Sequence, residues 1–535
     1  MRHKLVRLLA PAIAVVASLA LAGVARAGAS HAQIEGSGSS WSSNAVNQWI
    51  ADVDSKGLKV VFSASGSAIG RKDYANKTTD FAVSDIGYAG TDQFGGVDNS
   101  NGRSYAYLPV VAGGTAFPYQ VKVAGQLKRN IRLSGETLAK IFTNKITNWN
   151  DPLITADNNG SALPSLPIIP VVHSEGSGST AQFTRYLDKM YPDLWRPFQG
   201  SAGLTEFFPR KGNQIAQNGS DGVMNFVSSA AANGAIGYDE YSYALGKNYP
   251  VAKIGNTAGF FTAPTQYNVA VALTQAKINQ DKSSPDYLLQ NLDDVYRYND
   301  PRTYPLSSYS YMIIPTAADD VRMTTAKRQT IADFLYYSTC EGQAEMGPLG
   351  YSPLPINLAQ ASFDQVARLK QADPNVDLSS RDVTTCHNPT FVSGEPTRNY
   401  LAEVAAQPAA CDKAGQGPCT GSEGTNVANP GSGGSAGTGG DAGGSAGSTG
   451  ATAGGPNVAE VEASGAAGSG GSGSISDEGQ AQTVATQLPV GHSIGTGALG
   501  VIAALLLIGL LVGPPLLVRR FDDFDDFGGP GGPRQ

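Results

Sequence analysis

The chain has 535 residues, 41% of them hydrophobic, and carries a net charge of −7. That acidity argues against a nucleic-acid partner, and the four cysteines suit an oxidising compartment. Between about residues 28 and 400 no HExxH, CxxC or GxSxG pattern occurs, which removes the easiest enzymatic assignments.

Taken in chain order, Arg2, Lys4 and Arg7 precede an apolar run from Leu8 to Val24, and Ala25-Arg26-Ala27 follows at cleavage spacing. Residues 1–27 therefore read as a secretory signal peptide. No cysteine follows the run, which argues against a lipid anchor there. The folded part, about 28–400, is larger than one core usually supports, so two lobes are expected.

Within it, "GLKVVFSAS" (57–65), "DFAVSDIGY" (80–88) and "YAYLPVVAGG" (105–114) read as short buried strands. "SGETLAKIF" (134–142) reads as a helix that Ser134 starts. "LPIIPVVHS" (166–174) and "YSYMIIP" (309–315) read as strands, and "GAIGYDEYSYA" (234–244) as strand then helix. The 3.6-residue stripe of "TAKRQTIADFLYYSTCEG" predicts a helix ending at Gly342. The class is α/β.

Three segments place small polar residues where a strand meets a helix: 36–50, 63–74 and 174–187. Each offers hydroxyls and free backbone N–H groups at a helix N-terminus, which suits an anion and equally suits a plain capped turn. The histidines (His31, His173, His387 and His492 among them) are scattered, and no ligand-spaced acidic cluster points to a metal; no cofactor is expected.

Beyond the folded part, residues 412–490 are dominated by Gly, Ser, Ala and Thr and read as a flexible tether. Its typical reach is about 45–55 Å. Residues 499–518 are apolar and uncharged, long enough for a transmembrane helix. Arg519 and Arg520 follow at once, placing a short tail, 519–535, in the cytoplasm and the body outside. Four cysteines allow three connectivities. The most local pairs Cys340 with Cys386, and Cys411 with Cys419 at the start of the tether.

"GSGSSW", "SGSAIGRKDYANKTTDFAVSD", "LPVVAGGTAFPYQV", "LSGETLAKIFTNKITNWNDPLI", "VVHSEGSGST" and "YPLSSYSYMIIP" occur in one order over about 300 residues. In this the chain resembles the phosphate-binding proteins that serve Pst-type ABC transporters, within the two-lobed periplasmic binding-protein class. The resemblance implies an α/β, periplasmic binding-protein-like fold with a ligand cleft between lobes. Lobe I would comprise about 28–110 and 305–400, and lobe II about 111–304. Crossover strands are expected near Pro109–Gly114 and Tyr304–Tyr311. It also implies inorganic phosphate as ligand and an ABC transporter permease as partner. Carried over by position, the ligand set is Ser40, the N–H of Trp41, Ser67, Asp85, His173, Ser177, Gly178 and Ser179. Asp85 would accept a hydrogen bond from a protonated phosphate oxygen and repel sulfate, which has no such proton.

His173 departs from the family, which has arginine there; imidazole offers one donor and titrates near neutrality. Glu175 stands for the family's aspartate, and Arg71, Lys72, Arg210 or Lys211 are candidates to supply the missing charge. Two other functions compete with phosphate capture. One is a surface phosphatase or phosphoester-binding protein using Ser177 as nucleophile and His173 as base. The other is an adhesive surface protein that has lost the ligand.

Overall fold

The computed structural model describes residues 31–419, apart from Ser380, Ser393 and Pro396. The expected signal peptide, the tether beyond Cys419, the apolar run and the tail lie outside the described residues. Among the described residues no helix is long and apolar enough to cross a membrane.

The strands that position the site are β1 (Ile34–Gly38), β2 (Val60–Ser63), β3 (Phe81–Ser84), β4 (Tyr105–Ala116), β5 (Arg132–Leu133) and β6 (Ile169–His173). They are followed by β7 (Ile215–Gln217), β8 (Ala235–Gly237), β9 (Asp239–Glu240), β10 (Lys253–Gly255), β11 (Phe261–Thr262) and β12 (Ser307–Pro315). The largest sheet has the order β9-β4-β12-β3-β1-β2. Its β1–β2 and β1–β3 pairs are parallel, whereas β12 runs antiparallel to both β3 and β4. Residues 106–116 of β4 and all of β12 are buried, including the polar Ser307, Ser308 and Ser310. Parallel β7-β6-β8 and the mixed β11-β10-β5 form two smaller sheets in the second lobe.

The chain passes between the lobes along β4 and β12, which pair from Ser307 opposite Gly114 to Pro315 opposite Tyr105. It passes a third time between β8 and β9, where it leaves the second-lobe sheet to pair with Thr115 and Ala116. Pro109 has no N–H to donate, and the β4–β12 register shifts beside it, between Ser310 and Tyr311.

Helix α1 (Ser43–Asp54) turns Ala45, Val46, Trp49 and Val53 inward, a 3.6-period stripe on the first-lobe core. Helix α2 is Ser67–Ala75, and α3 (Gly135–Phe142) is capped by Ser134, whose Oγ accepts from the Thr137 N–H at 3.2 Å. In the second lobe, α4 (Gly178–Met190) follows β6, and α5 (Gly219–Ser228) packs beside that strand. A core of Phe117, Phe142, Phe183 and Tyr238 joins α3 to α4, its rings meeting mostly edge to face.

β2, β3 and β6 fill only part of the runs read at 57–65, 80–88 and 166–174, and two ends differ further. The helix from Thr325 stops at Thr339, because Cys340 leaves helical dihedrals and a short 3-10 turn, Glu341–Glu345, follows. The folded part also continues past Tyr400 to Cys419. The buried Arg132 guanidinium donates to the Cys411 carbonyl at 2.9 Å, and Lys253 pairs with Asp412 at 2.6 Å. Asn130 donates to the Cys419 carbonyl at 2.8 Å. The Cys411–Cys419 loop is thus docked on the second lobe, and Cys340–Cys386 closes the other disulfide.

Candidate anion-binding site

Asp85 follows β3 at the centre of the first-lobe sheet and is buried. Its carboxylate accepts from Ser39 Oγ at 2.9 and 2.8 Å, from Ser310 Oγ at 2.7 Å and from Ser67 Oγ at 3.3 Å. Burial pushes its pKa above the usual carboxylate value, and the three serines and Arg71 oppose that shift. Gly178, the first residue of α4, backs directly onto this group. A Cβ there would lie 2.2 Å from Asp85 Oδ2 and 2.5 Å from Ser67 Oγ. The second-lobe helix therefore aims its N-terminus at the first-lobe carboxylate and serines.

The other expected residues converge on the same seam. Ser40 Oγ meets Ser220 Oγ and accepts from the Ser220 N–H, both at 3.1 Å, so it spans the lobes. The Trp41 side chain is buried edge-on to Tyr351. Ser177 caps α4 through the Thr180 N–H at 3.4 Å, and Ser179 Oγ is buried without a partner. Gly66, at φ 98°, lets the chain enter α2 against the Glu175 side chain, in a conformation that favours glycine.

His173 is buried at the end of β6, its Nδ1 2.7 Å from Glu175 Oε1, while Glu175 Oε2 accepts from the Gly219 N–H at 3.0 Å. Burial alone would lower the imidazole pKa. The Glu175 charge and hydrogen bond outweigh that effect and hold it above the ordinary value. Burial raises and His173 lowers Glu175, which ends below the usual range. His173 Nε2 has no hydrogen-bond partner. Ser177 and His173 thus have other hydrogen bonds, and no Ser–His couple of the kind a phosphatase nucleophile needs is formed.

Of the four candidate cations only Arg71 is buried, and its charge acts on Asp85. Lys72, Arg210 and Lys211 are exposed, and Lys211 stacks over Phe198. Arg71 is buried but committed: it makes a bidentate pair with Asp98 at 3.0 and 2.9 Å and a second pair with Glu206 across the lobes. Among the described residues no group of His, Cys, Asp and Glu could hold a metal ion. A cavity of about 250 Å³ opens beside Asp85, lined by Tyr88, Gln182, Leu204, Leu289 and Tyr311 among others.

Sequence reasoning missed Ser39, Ser310, Gln182 and Glu206. Ser39 adjoins the expected Ser40. Gln182, whose Nε2 donates to the Asp85 carbonyl at 2.8 Å, lies one helical turn past the expected Gly178. Ser310 and Glu206 carried no local signal.

The model of the PBP superfamily domain matches residues 24–341. The phosphate-binding protein PstS 2 of Mycobacterium tuberculosis is 32% identical over 329 residues, 60% of this chain and 83% of that protein. The phosphate-binding protein PstS of Pasteurella multocida is 29% identical over 330 residues, 61% and 88% of the two chains. Among solved structures, a phosphate-binding protein from Stenotrophomonas maltophilia is 17% identical with a TM-score of 0.46, over 62% of this chain and 93% of that one. The chain belongs to the PBP superfamily and, within it, to the Pst-type phosphate-binding proteins, a family of solute carriers rather than enzymes.

Proposed function

We propose that this protein is an extracellular, membrane-tethered solute-binding protein that captures inorganic phosphate and passes it to an ABC transporter. The observation that carries this reading is the meeting of Asp85, Ser67 and the N-terminus of α4 across the lobe seam, with Ser40 and Ser179 beside them. Hydroxyls and backbone N–H groups suit a desolvated oxyanion, and one carboxylate among them suits an oxyanion that still carries a proton. The relatives named above are phosphate-binding proteins, which supports the same ligand. Membrane tethering is inferred from the uncharged run 499–518 and the arginines after it.

Inorganic phosphate should stabilise the full chain by RT ln(1 + [L]/Kd), which is about 2.7 kcal/mol at a hundredfold excess over Kd. Thermal unfolding with and without millimolar phosphate measures this. An unchanged melting temperature would remove phosphate capture and favour an adhesive surface role.

Asp85→Asn should narrow the preference for phosphate over sulfate by about 1.5–3 kcal/mol, the worth of a hydrogen bond to a charged group. An amide can donate to either anion and repels neither. Competition calorimetry with the two anions reads the ratio; a variant that rejects sulfate as strongly as its parent would place Asp85 outside the site.

A further inference from the structure

Behind His173 lies a second carboxylate that the anion-binding reading does not use. Asp239 is fully buried on β9, at the step where the chain leaves the second-lobe sheet. Its Oδ1 accepts from the Glu240 N–H at 2.8 Å. Its Oδ2 is buried without a full hydrogen bond, and the Ser220 side chain lies beside it. Ser220 is the residue that meets Ser40 across the lobes, so Asp239 borders one arm of the cradle through Ser220 and the other through His173. The imidazole is held on one side by Glu175 and feels Asp239 as a further negative charge, while its Nε2 is buried and unbonded.

The charged and titratable groups that face Asp239 are His173 from β6, Asp221 from α5, and Glu240, Tyr238 and Tyr243 from its own stretch of chain. Only His173 among them is cationic. Burial raises Glu240 well above its ordinary carboxylate value, and Ser242 opposes that shift. Burial pushes Asp239 up to about 7, with His173 opposing.

We propose that Asp239 sets the charge state of the loaded site: it competes with Glu175 for the positive charge of His173, so that an anion entering the cradle draws a proton from solvent onto the Asp239 carboxylate. This rests on the anion-binding reading above. The only bond made is O–H on the carboxylate, and the proton returns to solvent when the anion leaves. Anion capture then weakens as pH rises through the Asp239 value, because the proton must be recruited from an increasingly dilute supply.

Calorimetric titration of the full chain with inorganic phosphate at pH 8, in two buffers of different ionisation enthalpy, counts the protons taken up. The parent should take up close to one proton more than Asp239→Asn. The variant should bind about 10-fold more tightly at pH 8, since a group titrating near 7 is then about nine-tenths ionised, and equally at pH 6. Asparagine keeps the Oδ1 acceptor for Glu240 and has no charge to bury, so the variant should melt above its parent at pH 8. Phosphate's own ionisation is common to both proteins and cancels in the difference. Binding by both with equal proton uptake would overturn the role of Asp239 and leave phosphate capture standing. Binding by neither would overturn phosphate capture and this proposal together. One measurement needs no variant: the ¹⁵N shifts of the His173 ring in the unliganded parent should show an inflection near pH 7 from Asp239, and a curve without it would also overturn the proposal.

Discussion

Replacing Arg71 with leucine should destabilise the protein by about 3–5 kcal/mol, the cost of breaking a buried ion pair from one side. Its guanidinium is 1% exposed and holds three groups at once: Asp98 through two parallel bonds, Glu206 from the other lobe, and the Ser84 hydroxyl at 3.0 Å. Burial would lower the Arg71 pKa, but the two carboxylates outweigh it and Arg71 stays charged at every working pH. Leucine would leave Glu206 and Asp98 facing each other in a buried seam. Glu206 is already held above the usual range, by burial first, with Arg71 opposing and Asp98 and Asp85 adding to it, so the loss of Arg71 would raise it further. Glu206→Gln should cost much less, because Asp98 still neutralises Arg71 bidentately. Denaturant unfolding of both variants tests this ordering; equal losses would mean that Glu206 rather than Asp98 carries the pair. Asp85 offers a second check. Arg71 lowers its pKa, so the leucine variant should hold a protonated Asp85 to higher pH than the parent does.

How far the fold could be read depended on whether a feature was local. The strands read at 57–65, 80–88 and 309–315 enclose or overlap the observed ones, and Ser134 marks the start of its helix. The Arg71–Glu206 pair spans 135 positions, and no spacing rule could have shown that this arginine was already committed. Ser310 is similar: its hydroxyl meets Asp85 beside a register shift at Pro109, which depends on how two distant strands pair. The end of the body was misjudged for another reason. Composition around 410–419 resembles a linker, yet Arg132 and Asn130 bind its carbonyls, and carbonyls carry no sequence signature. In the site itself, the resemblance placed Asp85, Ser67 and Gly178 together, whereas Ser39 differs from the expected Ser40 only in which way one strand end turns.

His173→Arg should bind phosphate more tightly than the parent at pH 8 and show a shallower pH dependence, whereas His173→Ala should lose affinity chiefly at low pH. The parent's imidazole gains a partner in Glu175, so its folded pKa lies above the ordinary value near 6.5. Its favourable charge is therefore fully present below the unfolded value and is lost as pH rises through the folded one. The same sign governs stability: the margin of the parent over His173→Ala should be largest in mild acid and shrink on the alkaline side. Arginine keeps its charge throughout and offers a fork of donors, and position 173 already has a buried carboxylate in Glu175 to receive part of it. Nε2 of His173 is the donor left free for an anion, and a hydrogen bond to a charged group is worth about 1.5–3 kcal/mol. The alanine variant should accordingly bind about 10- to 100-fold more weakly at pH 6. Because Asp239 also titrates in this range, the arginine and alanine variants are best compared over pH 5.5 to 8.5 in an Asp239→Asn background, where its contribution is absent. If the arginine variant then follows its parent's profile throughout, His173 does not touch the anion, and the α4 N-terminus and serine hydroxyls alone hold it.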